Sequence, residues 1–132
     1  MNDTRKAVVL TGNDLTVENI VAVGVGDRRV EIDPEALKRC AASRKFLEEE
    51  IGAKRIIYGV NTSFGPMCNK IIGDEQIETL QVNLIRSHAA GLGAPLPFYI
   101  ARAVTLVRLN TLLKGYSGVT RELLLLLRDM IN

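Results

Sequence analysis

A mainly α fold with short strands near the N-terminus is what the sequence predicts, and three observations predict it. From Asp74 onward the chain carries three stretches of helically spaced apolar residues, separated by the breaks Gly91-Leu92-Gly93-Ala94-Pro95 and Gly115-Tyr116-Ser117-Gly118. Asp33-Pro34-Glu35 is a strong helix start, because Asp caps, Pro suits the first helical position and Glu favours the positive end of the dipole. Extended character is limited to two short runs, Ala7-Val8-Val9-Leu10 and Arg29-Val30-Glu31-Ile32.

The elements follow in order. The first strand, Ala7 to Leu10, is closed by Thr11-Gly12-Asn13-Asp14. Thr16 is placed to cap a helix with Val17, Ile20, Val21 and Gly24 on one face. After the second strand, the helix from Asp33-Pro34 runs to Glu50 or Ile51, with Gly52 as its stop, and its apolar positions are Leu37, Cys40, Ala41, Phe46 and Leu47. Tyr58 to Gly73 shows neither period and reads as a long ordered loop. Asp74 caps a helix reaching about Ala90, with Ile77, Leu80, Gln81, Leu84, Ile85 and His88 along one side. The next helix runs from Pro97 to Lys114, with Ile100, Val104, Val107 and Thr111 on one stripe and Ala103, Leu106, Leu109 and Leu113 beside it. The last starts near Thr120, and its run Leu123 to Leu127 is apolar in every direction. Such a helix is expected to be buried on all sides, so the chain is expected to pack against something more than itself.

Composition bounds the function. A length of 132 residues suits one domain, and 47% hydrophobic with 24% charged residues is ordinary globular composition. Lys+Arg of 17 against Asp+Glu of 15 leaves +2, too weak a field to argue for nucleic acid or an anionic membrane. The apolar run Leu123 to Leu127 cannot span a bilayer, and the stretch Ala7 to Leu10 is too short for a signal-peptide core, so the expected location is the cytoplasm. With His88 the single histidine, a multi-histidine metal site within the chain is excluded. Cys40 and Cys68 read as two reduced thiols.

Two positions stand out for chemistry. Tyr58 follows Arg55-Ile56-Ile57 and opens the glycine-bearing loop; it is either a packing residue or a phenol aimed into a pocket. As a base near neutral pH it would need its pKa of about 10 lowered. His88 is either a core histidine bonded to a carbonyl or an imidazole at a helix end, where Gly91 and Gly93 allow close approach. Ser87 is its neighbour, and on a helical wheel the two project about 100° apart and do not face each other. No Gly-x-Ser-x-Gly elbow is present, and Gly91-Leu92-Gly93 follows a helix and lacks the third glycine of a dinucleotide fingerprint. Arg102 and Arg108, in an apolar helix, are expected to reach for carboxylates outside the chain.

Three ordered motifs carry a resemblance. Tyr58-Gly59-Val60-Asn61-Thr62-Ser63-Phe64-Gly65 resembles the Tyr-Gly-Val-Asn-Thr-Gly-Phe-Gly loop of the aromatic amino acid ammonia-lyases, a family that includes histidine, phenylalanine and tyrosine ammonia-lyases and related aminomutases. The run from Leu80 to Gly93 is similar to the family's next segment, and Arg108-Leu109-Asn110-Thr111-Leu112 with Lys114-Gly115-Tyr116-Ser117-Gly118-Val119 continues it. The match begins at Thr11-Gly12-Asn13 and covers nearly the whole chain. It implies the N-terminal portion of a large helical ammonia-lyase fold, residues 1–132 forming one N-terminal segment of a homotetramer.

The resemblance also implies an activity: elimination of ammonia from an α-amino acid, with a methylidene-imidazolone (MIO) electrophile formed from an Ala-Ser-Gly triplet and a tyrosine base. Tyr58 matches the base, His88 a substrate side-chain contact, and Gly65 a position lining the pocket. Ser87-His88 resembles the pair in histidine lyases, where phenylalanine-selective enzymes carry an apolar residue. A histidine there hydrogen-bonds a polar substrate side chain, imidazole or phenol, and so discriminates strongly. The Gly65-Pro66-Met67 continuation looks like bacterial tyrosine enzymes, and the Ser-His-Ala-Ala-Gly run looks like histidine lyases; histidine is the favoured substrate. Two departures stand out. Ser63 replaces the usual glycine of the loop, and no Ala-Ser-Gly occurs in the chain, so these 132 residues alone are expected to be inactive. They would be an N-terminal fragment, one part of a split enzyme, or a remnant with a binding role. The reading from a different class is a non-catalytic helical module associating through its last helix.

Overall fold

A computed structural model describes residues 6–26, 28–62 and 74–132. The order is β1 (Val8–Leu10), α1 (Val17–Gly24), β2 (Val30–Ile32), α2 (Pro34–Gly52), α3 (Asp74–His88), α4 (Phe98–Leu112) and α5 (Arg121–Ile131). The fold is mainly helical, as expected. No helix among the described residues is long and apolar enough to cross a membrane. The chain divides into two compact units, residues 1–47 with 95–132, and residues 48–94.

In the first unit β1 and β2 pair in parallel, Val8 opposite Val30 and Leu10 opposite Ile32, with α1 as the crossover. Helix starts follow the capping residues. Thr16 accepts from the Asn19 amide at 3.3 Å, Asp33 Oδ2 from Ala36 at 3.0 Å, and Thr120 from Leu123 at 3.3 Å. α4 packs against α1 and α5, and α5 touches β2. The core between them is Val8, Leu10, Val23, Val30, Ala36, Cys40, Leu106, Leu109, Leu112, Leu113, Leu124 and Ile131.

Each of three helices buries only part of the apolar surface expected of it. In α1 the buried residues are Val23 and Gly24 with Ile20 half-buried, while Val17 and Val21 are exposed. Gly24 selects this face: a Cβ there would lie 3.1 Å from the Tyr99 carbonyl and 3.5 Å from the Ala103 methyl, so the missing side chain lets α1 approach α4. In α4 the inward stripe is Leu106, Leu109 and Leu113, and Val104, Val107 and Thr111 turn outward. In α5 the all-round burial expected of the leucine run does not occur within this chain. Leu124 is fully buried, Leu125 and Leu127 are half-buried, and Leu123, Leu126 and Met130 are exposed, because α4 and β2 meet only one flank of the helix.

Polar groups tie the unit together. Asn110, buried on α4, accepts the Gly12 amide at 3.1 Å, which holds the turn after β1. Gly12 has φ +95°, and a Cβ on it would sit 2.9 Å from the Leu113 carbonyl carbon. Within the chain, Arg102 Nε donates to the Ile131 carbonyl at 3.0 Å and its Nη1 to the Gly26 carbonyl at 3.3 Å, satisfying carbonyls at or just past the ends of two helices. Arg108 is exposed. The Asn132 side chain accepts from the Val30 amide at 2.8 Å and donates to the Val30 carbonyl at 3.0 Å, so one amide completes both main-chain bonds at the outer edge of β2.

Candidate active-site segment

The residues singled out for chemistry fall within the second unit, residues 48–94. Its first part is the end of α2. Arg55 N donates to Glu50 O at 3.1 Å and Lys54 N to Ile51 O at 2.9 Å, the paired bonds of a Schellman motif. The left-handed position of that motif is Lys54, with φ 55°, and not Gly52, which remains helical. The expected glycine stop is thus displaced by two residues. An ion pair between Arg55 Nη1 and Glu50 Oε2 at 3.0 Å spans the same turn.

Tyr58 comes next and is 65% exposed. Its main chain lies in a turn closed from both sides. Asn61 Oδ1 accepts the Ile57 amide at 2.8 Å, and Asn61 Nδ2 donates to the Arg55 carbonyl at 2.7 Å. Thr62 Oγ1 accepts the Gly59 amide at 3.3 Å. The backbone adds Val60 N to Ile57 O at 3.1 Å and Asn61 N to Ile57 O at 3.3 Å. Gly59 has φ +74°, a conformation that favours glycine. Both polar side chains are buried, Thr62 completely. The sequence reading treated Asn61 and Thr62 as loop residues; the available signal was the Asn/Thr pair just after a glycine, where short polar side chains bond back to nearby backbone.

The second part is the end of α3, where Ser87 and His88 meet, contrary to the helical-wheel expectation. Ser87 Oγ lies 3.1 Å from His88 Nδ1, and both reach the Leu84 carbonyl, Ser87 Oγ at 2.8 Å and His88 Nδ1 at 2.9 Å. The wheel angle misleads because side chains lean back toward the N-terminus of a helix, so neighbouring residues converge on one carbonyl of the preceding turn. A carbonyl oxygen carries no proton, so Nδ1 is the protonated ring nitrogen facing Leu84 O. In the neutral ring this leaves the lone pair on Nε2. His88 is exposed rather than a core residue. Gly65 and Ser63, singled out in the loop, lie outside the described residues, as do Cys68 and the capping side chain of Asp74.

The aromatic amino acid lyase family model matches residues 15–132. The chain belongs to that family. A histidine ammonia-lyase of Streptococcus gordonii is 45% identical over 123 residues, which cover 93% of this chain and 24% of that protein. Tyrosine aminomutase from Streptomyces globisporus superposes with a TM-score of 0.91 at 35% identity, covering 96% of this chain and 24% of that one. Histidine ammonia-lyase from Trypanosoma cruzi superposes with a TM-score of 0.86 at 35% identity, over 96% and 25%. The chain thus spans about a quarter of the length of the relatives it matches.

Proposed function

We propose that these residues are the N-terminal segment of an ammonia-lyase that eliminates ammonia from L-histidine to give urocanate, with Tyr58 as the base and His88 as the side-chain contact. The observation that carries a polar substrate side chain is the His88 ring, held by Leu84 through Nδ1 with the lone pair left on Nε2. That nitrogen accepts a hydrogen bond from the imidazole N–H of a histidine substrate. Ser87 steadies the ring from the side. The likeness to a histidine ammonia-lyase over 93% of the chain supports the same choice.

In this reading the Tyr58 side-chain oxygen takes the β-proton of the substrate. The C–H electron pair becomes the second bond between Cα and Cβ, and the Cα–N bond breaks to release ammonia. The MIO group implied by the family supplies the electrophile, but no Ala-Ser-Gly occurs in these 132 residues, so they do not form it and it has to come from outside them. A cytoplasmic homotetramer is part of the same proposal. Its association into an oligomer is supported by the apolar residues that α4 and α5 leave uncovered, Val104, Val107, Leu126 and Met130.

The test is made in the full-length lyase. Tyr58→Phe is expected to lower turnover by about 10²-fold or more with assembly unchanged, in the range set by loss of a positioned base. Unchanged turnover would refute the base role. His88→Phe is expected to shift the kcat/KM ratio toward phenylalanine by about tenfold or more, because the polar substrate loses the hydrogen-bond partner that His88 supplies. A second substrate reading rests on the likeness to tyrosine aminomutase, since Nε2 accepts a phenol O–H equally well. Urocanate as the product supports the first reading, and an unsaturated phenolic acid or a β-amino acid supports the second.

A further inference from the structure

We infer that Asn61 and Thr62 are positioning residues for Tyr58: they clamp the peptide units on either side of it and so fix where the phenol points. The inference rests on the reading of Tyr58 as the base. Ile57 is held through its N–H by Asn61 Oδ1 at 2.8 Å, and Gly59 through its N–H by Thr62 Oγ1 at 3.3 Å. Tyr58 is the residue between them. The same Asn61 amide donates to the Arg55 carbonyl at 2.7 Å, and Arg55 is in turn locked to the end of α2 through its amide and its guanidinium, both on Glu50. The turn is therefore fastened to the C-terminal end of α2 through Glu50.

The turn is closed by Val60 N and Asn61 N onto Ile57 O, and the Ile57 and Gly59 amides are held by the two side chains. The side-chain bonds act on the flanking amides, one before and one after Tyr58. Asn61 and Thr62 are buried while the Tyr58 ring is exposed, which is the arrangement of a rigid base under a presented group. Displacing a reacting group by about 1 Å costs about 10²-fold in rate, so loosening such a mount is expected to slow proton removal without weakening substrate binding.

The experiment compares Asn61→Ala, Thr62→Val and Thr62→Ser in the full-length lyase, with β-deuterated histidine as the probe. Asn61→Ala and Thr62→Val are expected to lower kcat by about tenfold to 10²-fold with KM within about twofold, and to raise the β-deuterium isotope effect as proton removal becomes limiting. Thr62→Ser keeps the acceptor oxygen and is expected to restore kcat. In the 132-residue chain itself, amide exchange is expected to quicken at Ile57 in Asn61→Ala and at Gly59 in Thr62→Val. An unchanged isotope effect, or a kcat loss in Thr62→Ser equal to that in Thr62→Val, overturns the positioning role. The two readings fail separately. An active Tyr58→Phe enzyme removes the base, whereas an inactive one beside an unaffected Asn61→Ala removes only the clamp.

Discussion

Cys40 lies in the core with its thiol donating to the Leu112 carbonyl at 3.4 Å. Burial pushes its pKa up, and this outweighs the opposing pull of the Arg39 charge and the Gly115 amide. A raised thiol holds its proton longer in the folded chain than in the unfolded one. Its contribution to stability is therefore complete below the ordinary thiol pKa, about 8.5, and is lost as pH rises above it. In a Cys68→Ser background, a disulfide reagent at about pH 8 is expected to react slowly with the native chain and quickly after unfolding. Fast reaction of the native chain would show that Cys40 is not sealed. At this scale the sequence was informative about identity and poor on geometry. Tyr58 was legible because glycine and asparagine mark its turn, but the carbonyl that gathers Ser87 and His88 was not, since a helical wheel ignores the backward lean of side chains.

The end of α2 is the element on which the Tyr58 turn is mounted, and it carries a strained residue. Lys54 occupies the left-handed position at φ 55°, where a Cβ costs about 1 kcal/mol or somewhat more. Lys54→Gly is expected to raise stability by about 0.5–1 kcal/mol, part of the relief being offset by the freer unfolded chain. Denaturant melts would read this as a higher midpoint at unchanged slope, and a lowered midpoint would show that the lysine side chain contributes more than its backbone costs. Helix starts were legible because their signals are local: Thr16, Asp33 and Thr120 each bond to an amide three residues on. Helix faces were not. α1 and α4 each offer two apolar stripes, and what selects between them is a tertiary contact, Gly24 against Ala103.

Across the whole chain, the unit of residues 1–47 and 95–132 is closed by polar bonds between its two ends. Gly12 meets Asn110 across 98 positions, and Val30 meets Asn132 across 102. Asn132→Ala removes both bonds to Val30, a residue buried in the core, and leaves its main chain without these partners. A loss of about 2 kcal/mol is expected by thermal or chemical melting. An unchanged melt would mean that water replaces the amide without penalty. Leu123, Leu126 and Met130 are the part of the leucine-rich helix that this chain leaves exposed, so the all-round apolar run overstated burial within it.

The Asn132 clamp also sets an order of events during synthesis. A ribosome delivers β1 and β2 early, yet the outer edge of β2 has its amide and carbonyl satisfied by a side chain made 102 residues later. Until then the nascent chain carries an open strand edge, the kind of template that recruits other extended segments. The part of the molecule translated first is thus among the last to be sealed.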